Sequence, residues 1–466
     1  MKIGFISFDH LRGWNGITRL IDRIAAEMAE RGHSVSIVAL EASADSKKKI
    51  PVSKLDYPHE LITLNLNDRQ GQTEAAGKIA ASGLDVCAAS IGSARLLQLP
   101  CLFKASGIPF IHGEPADPRV FNFARWQPYE HYGVLFAADA FTVLLEEYLP
   151  FYPKALQSRA HVIGNPAPKP APVDFAARRK KKTRTIISAG RFNENDKRFS
   201  FLIRAFALLH KEFPEWRLKL AGSGTYREFY GILAEQLGIR RFLDFTGAVD
   251  DVGSLYEDSD IFCLPSFIAE GLPMVYLEAS AYALPLAGYK SCVASAALID
   301  SKTGALAEEN TPESLANALR SLMVLPPEER EQTGINAHEK LQKLYGNSIV
   351  FDEWEALFAE TVEKVKNIGS TALERSLKMN GIGKEWVDLN LTPDSSVWTK
   401  KVLSSAAAEI SARENSMSAT ENSDTEAENV RLRCEIAKLT RDYRNLQENY
   451  ASLAEQFKML GQKRKK

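Results

Sequence analysis

The chain opens with an apolar run, Lys2 to Phe8, that predicts a buried strand. A polar, glycine-bearing turn follows, Asp9 to Gly16. Ile17, Leu20, Ile21, Ile24 and Met28 then recur three and four residues apart, the spacing of one helix face. Gly32 stops that helix, and Val35 to Leu40 reads as the next strand. The same alternation continues. Strands are predicted at 107–114, 137–144, 162–166, 185–189, 216–220, 242–247 and 260–264, with apolar-faced helices among them. The pattern is that of an α/β protein with parallel sheets. Helices are expected over 313–322 and 328–344, and a long amphipathic one over 349–365. Ile436, Leu439, Tyr443, Leu446, Tyr450, Leu453, Phe457 and Leu460 alternate spacings of three and four, an a/d seam predicting a coiled coil.

Two stretches interrupt this order. Pro166, Pro168, Pro170 and Pro172 stiffen a linker that ends in the basic run Arg178 to Lys182, expected to be solvated. Ser404 to Glu426 is polar, has no apolar face and reads as flexible. A length of 466 residues allows two or three domains. The net charge of −1 argues against nucleic acid as a partner. Five scattered cysteines without metal-ligand spacing suit a reducing cytosol. Residues 1–10 run straight into a strand, so no signal peptide is expected. No apolar run reaches the roughly 20 residues of a membrane-spanning helix. The closing Lys463-Arg464-Lys465-Lys466 permits peripheral contact with anionic lipid.

The candidate chemistry centres on Phe262 to Tyr282. A buried strand ends at Pro265, Glu270-Gly271-Leu272 turns, and Pro273 suits the first position of a helix. The exposed amides and positive dipole at such a helix head suit a diphosphate. Gly271 would let that ligand approach the backbone. Glu270 precedes the helix and Glu278 lies in its second turn, so both carboxylates are expected to face one cleft. Upstream, the strand ending at Ala189 leads into Gly190, Arg191 and Lys197, an arrangement that neutralises phosphate. Gly222 opens a strand–G-x-G turn. The single-glycine turn at Gly16 is a weaker sign of a nucleotide site.

The E-x7-E pair Glu270/Glu278, set in S-x-x-x-E-G-L-P, resembles the signature of retaining glycosyltransferases of family 4. Motifs in matching order cover about residues 1–370. The resemblance implies the GT-B fold: two Rossmann-like domains facing a cleft, here with a coiled-coil extension. It divides the chain into an acceptor domain (1–166), a linker (167–183), a donor domain (184–345) and a helix crossing back (346–370). Beyond it lie an extension and flexible linker (371–427), a coiled coil (428–461) and a basic tail (462–466). It implies catalytic roles for Glu270, contacting donor-sugar hydroxyls, and for His112, in the strand-end His112-Gly113. Gly16, Gly190, Arg191, Lys197, Gly222, Gly271, Leu272, Pro273 and Glu278 would bind the donor, Glu278 at the ribose. Arg191 ranks above Lys197, because Arg198 stands where relatives carry a glycine. Cys292 to Ala296 replaces the family's Gly-Gly-x-x-Glu.

The expected activity is transfer of a sugar from a nucleotide-sugar donor to a glycan or lipid-linked glycan. It would proceed with retention and no metal or other cofactor, in the cytoplasm, in building a bacterial-type surface polysaccharide. The coiled coil would join copies of the chain or dock a partner. Two alternatives are a scaffold on an inactive transferase fold and an epimerase of similar fold. Nucleotide-sugar binding separates the scaffold from an enzyme; the epimerase would convert the donor with no acceptor.

Overall fold

The computed structural model describes residues 1–7, 16–40, 55–66, 69–90, 98–120, 128–249, 252–266 and 270–368. The expected extension, coiled coil and basic tail lie outside them.

The described residues form two parallel sheets. The first contains β1 (Lys2–Ser7), β2 (Ser34–Leu40), β3 (Glu60–Leu64), β4 (Val86–Ser90), β5 (Phe110–Gly113), β6 (Ala140–Val143) and β7 (Ala160–Val162). Their order is β3-β2-β1-β4-β5-β6-β7. The second contains β8 (Arg184–Ala189), β9 (Trp216–Ala221), β10 (Leu243–Gly247), β11 (Ile261–Leu264), β12 (Leu286–Tyr289) and β13 (Gly304–Ala307), ordered β10-β9-β8-β11-β12-β13. Each order starts in the middle and reverses once. Such reversals open a crevice at the carboxyl ends of the strands. In the first lobe the crevice lies between β1 and β4, and in the second between β8 and β11.

Four helices matter most for the site: α1 (Gly16–Glu30), α2 (Phe199–Leu209), α3 (Met274–Ala281) and α4 (Asn347–Ile368). On α1 the buried residues include Leu20, Ile21, Ile24 and Met28, four of the five apolar positions on the predicted face. The last helix, α4, leaves the second lobe and completes the core of the first. Its Val350, Phe351, Trp354 and Phe358 cluster with Ile3, Phe5, Leu20 and Ile24. Phe358 meets Phe5 edge-on at 5.8 Å. Burying one such ring contributes about 1.5–3 kcal/mol.

The expectation of a solvated linker needs correction. Asp174 caps a helix over Phe175–Lys180, its carboxylate accepting the Ala177 amide at 2.9 Å. Arg178 is buried and donates to the carbonyls of Tyr282 and Glu257. Arg179 pairs with Glu331, and Lys181 with Asp258. Arg178, Arg179 and Lys181 are pinned to the second lobe because carbonyls and carboxylates there fall within their reach, while Lys180 and Lys182 are exposed, as expected of a solvated run.

Candidate active site

The second lobe gathers its candidate residues at the β8/β11 crevice. Gly190 follows β8, and a short helix, Glu194–Lys197, carries Lys197 back over it. A Cβ at Gly190 would sit 3.3 Å from the Lys197 side chain. Glu270 arrives from the neighbouring strand β11. Lys197 Nζ lies 2.6 Å from Glu270 Oε1, and Ser266 Oγ donates to the same oxygen at 2.7 Å. Both members of the pair are largely shielded, 16% and 11% exposed. Arg191, by contrast, is 76% exposed, and its ion pair is with Asp196 at 3.6 Å. Lys197 thus lies inward against Glu270, while Arg191 lies outward.

Arg198 explains how Lys197 gets there. It takes the left-handed conformation, φ 49°, ψ 41°, between the short helix and α2. That conformation costs a non-glycine residue roughly 1–2 kcal/mol. Gly222, φ 140°, also answers a packing need: a Cβ there would collide with the Gly190 carbonyl. Gly222 thus lets the β9 turn lock against the loop that carries Arg191, and no free approach to a ligand is required to account for it.

Gly271 answers a packing need as well. A Cβ there would fall 2.5 Å from Leu144 Cδ1, 2.7 Å from the Pro115 carbonyl and 3.0 Å from Ala116 Cα. The bare backbone admits the first lobe on that side. As whole residues Gly271, Leu272 and Pro273 are buried. Pro273 is the cap residue before α3, which starts at Met274. Three consecutive carbonyls of this turn accept hydrogen bonds from first-lobe side chains. Tyr148 Oη lies 2.6 Å from Glu270 O and 2.7 Å from Gly271 O, its single hydrogen shared between the two carbonyls. Asn165 Nδ2 donates to Leu272 O at 2.6 Å.

Glu278 sits one turn deeper, half-buried, and accepts from Tyr256 Oη at 3.1 Å. Burial pushes its carboxyl pKa up, opposed by Tyr256 and by Arg19 and Arg23 of α1. Arg23 also donates to Pro166 O at 2.7 Å and Asn347 Oδ1 at 2.8 Å, which ties α1 to the two segments where the chain crosses between the lobes. Gly16 opens α1 with open space where a side chain would be. The turn before it, residues 8–15, lies outside the described residues.

His112, at the end of β5, is fully buried. Its Nε2 faces Glu114 Oε1 at 2.8 Å, while His131 Nε2 and Tyr152 Oη approach Glu114 Oε2 at 2.5 and 2.9 Å. An ionised carboxylate only accepts, so both Nε2 atoms carry hydrogens. Among the described residues Nδ1 of His112 has no hydrogen-bond partner. Burial raises the Glu114 pKa, but His131 and His112 more than reverse it and hold the carboxyl well below its usual range. Among the described residues the polar partner of His112 is Glu114, within this cluster. Glu114, His131, Tyr148 and Tyr152 had no motif to flag them. Only Glu114, two residues after His112, had a local cue. The stretch at 292–296 starts a helix, Val293–Leu298, with Cys292, Ala294 and Ser295 buried.

Residues 172–340 match the family of glycosyl transferases group 1. An uncharacterized glycosyltransferase of Haemophilus influenzae is 33% identical over 179 residues, 38% of this chain and 50% of that protein. An α-1,4-N-acetyl-D-galactosaminyltransferase of Campylobacter jejuni, acting on an undecaprenol-linked glycan by its name, is 28% identical over 272 residues, 56% of this chain and 72% of that one. A GDP-mannose-dependent mannosyltransferase of Mycolicibacterium smegmatis is 29% identical over 133 residues, 27% of this chain and 35% of that one. The chain thus spans half the length of the Haemophilus relative and about a third of the mannosyltransferase. Among solved structures, Anabaena HepE in complex with UDP and glucose superposes with a TM-score of 0.62 at 16% identity, over 77% of this chain and 99% of that one. The described residues have the GT-B fold, and the match to glycosyl transferases group 1 falls on their second lobe.

Proposed function

We propose that the protein transfers a sugar from a nucleotide-sugar donor to a glycan or lipid-linked glycan, with retention and without a metal. The observation that carries this reading is the Lys197–Glu270 pair at the β8/β11 crevice. Departing phosphates need their growing negative charge stabilised, and a shielded ammonium does this better than one in water. Glu270, oriented by Lys197 and Ser266, accepts hydrogen bonds from the donor sugar. Glu278 accepts from the ribose. The two carboxylates come from one turn and one helix of a single lobe, so they do not flank a bond as the acid and nucleophile of a glycosidase do. The donor phosphate itself takes the acceptor proton. The names of the Campylobacter and mycobacterial relatives support a lipid-linked acceptor and a place in surface-glycan synthesis. Purified protein incubated with UDP- and GDP-sugars should hydrolyse one slowly, and transfer it when a polyprenol-linked glycan is added. If every donor in a broad panel neither binds nor turns over, the reading fails.

A further inference from the structure

The turn Glu270-Gly271-Leu272 is held from the opposite lobe. Tyr148 lies 122 and 123 residues away in sequence from the carbonyls it contacts. Its side chain is fully buried, 1% exposed. It sits in a short helical segment, Glu146–Phe151, packed beside Leu144 and Leu145.

A trans peptide is planar, and the C=O of one residue points opposite to the N–H of the next. If Glu270 O and Gly271 O point at Tyr148, the N–H groups of Gly271 and Leu272 point away from it. The Tyr148 hydroxyl therefore sets the direction of two amides. Asn165, on Leu272 O, holds the third peptide of the run, whose nitrogen belongs to Pro273 and offers no hydrogen. Gly271 has no room for a Cβ on the first-lobe side, so any other residue there would push the turn away from Tyr148. Burial also keeps the Tyr148 hydroxyl protonated, with Asp117, Cys292 and Glu270 reinforcing this, so it remains a donor at any working pH.

We infer that Tyr148 is a positioning residue for the diphosphate of a nucleotide donor: from the first lobe it orients the Gly271 and Leu272 amides of the second. This rests on the glycosyltransferase reading above. It makes a competent anion cradle conditional on docking of the two lobes. The first lobe then contributes to donor binding without touching the donor at this point.

The test is Tyr148→Phe, with binding of UDP, UMP, GDP and GMP measured by calorimetry on the full chain. Whichever base the wild type binds, its diphosphate should bind tighter than its monophosphate. Tyr148→Phe should shrink that ratio by roughly tenfold, the scale set by losing one hydrogen bond to a buried carbonyl, while monophosphate affinity stays within about twofold. A general packing defect would lower both affinities alike. An unchanged diphosphate-to-monophosphate ratio overturns the inference and leaves the glycosyltransferase reading standing. A wild type that binds none of the four nucleotides overturns that reading instead. Should Tyr148→Phe fail to fold, amide exchange on the wild type decides. Diphosphate, and not monophosphate, should slow exchange in peptides covering 144–152 and 270–277 together. Protection confined to 270–277 overturns the inference.

Discussion

Two strand-end carboxylates, one in each lobe, show how the same chemical group is put to different use. Glu114 follows β5 and is buried with three donors on its two oxygens. Glu270 follows β11, keeps 11% exposure and holds two donors on one oxygen. The first is saturated and sealed. The second has a spare oxygen and a cation beside it that a phosphate can attract. A buried carboxylate with every partner in place is framework, because changing any partner exposes an uncompensated charge. A partly open one can exchange partners with a ligand. The lesson is that burial and partner count, more than position at a strand end, separate the binding group from the strut.

Lys197→Ala and Glu270→Ala should have the largest effect, lowering turnover with the accepted donor by about 100-fold or more, as loss of a preorganised charge near the departing group does. Neither should greatly change the melting temperature. Turnover within a few-fold of wild type in both variants would break the comparison.

Glu114→Ala should act oppositely, on stability. It strands His112, His131 and Tyr152 without their acceptor, at a cost of about 3–5 kcal/mol, read by urea unfolding. The pH dependence follows from the depressed pKa of Glu114, which burial opposes and the two histidines more than restore. A carboxyl depressed in the folded state contributes stability that is present above its unfolded value of about 4.3 and lost as pH falls toward the folded one. The stability gap between wild type and Glu114→Ala should therefore narrow as pH drops below about 4.3. A gap constant with pH would contradict the ionised strut.

Arg191→Ala sharpens the comparison at its small end. A mostly exposed guanidinium whose one ion pair is loose should cost stability within about 0.5 kcal/mol. It should weaken donor binding only a few-fold, measured as KM. A loss matching that of Lys197→Ala would restore Arg191 to the centre and mean that it swings inward when donor binds.

Periodicity and punctuation in the chain marked β1, β2, β5 to β11 and the long last helix, because each records one-sided burial of a contiguous segment, but they left β3, β4, β12 and β13 unmarked. They also marked the second-lobe turn, where Ser266, Glu270, Gly271, Leu272 and Pro273 stand within eight residues. The burial of Gly271, the inward place of Lys197 over Arg191, the anchoring of Arg178, the sealing of His112 and the grip of Tyr148 were decided only by the tertiary structure. Each of these depends on a group brought near by the fold. Tyr148 and Glu270 are 122 residues apart, and Asn165 and Leu272 are 107 apart. A lone tyrosine or asparagine carries no period and no spacing to announce such a partner, so its role emerges only when the lobes close around the turn.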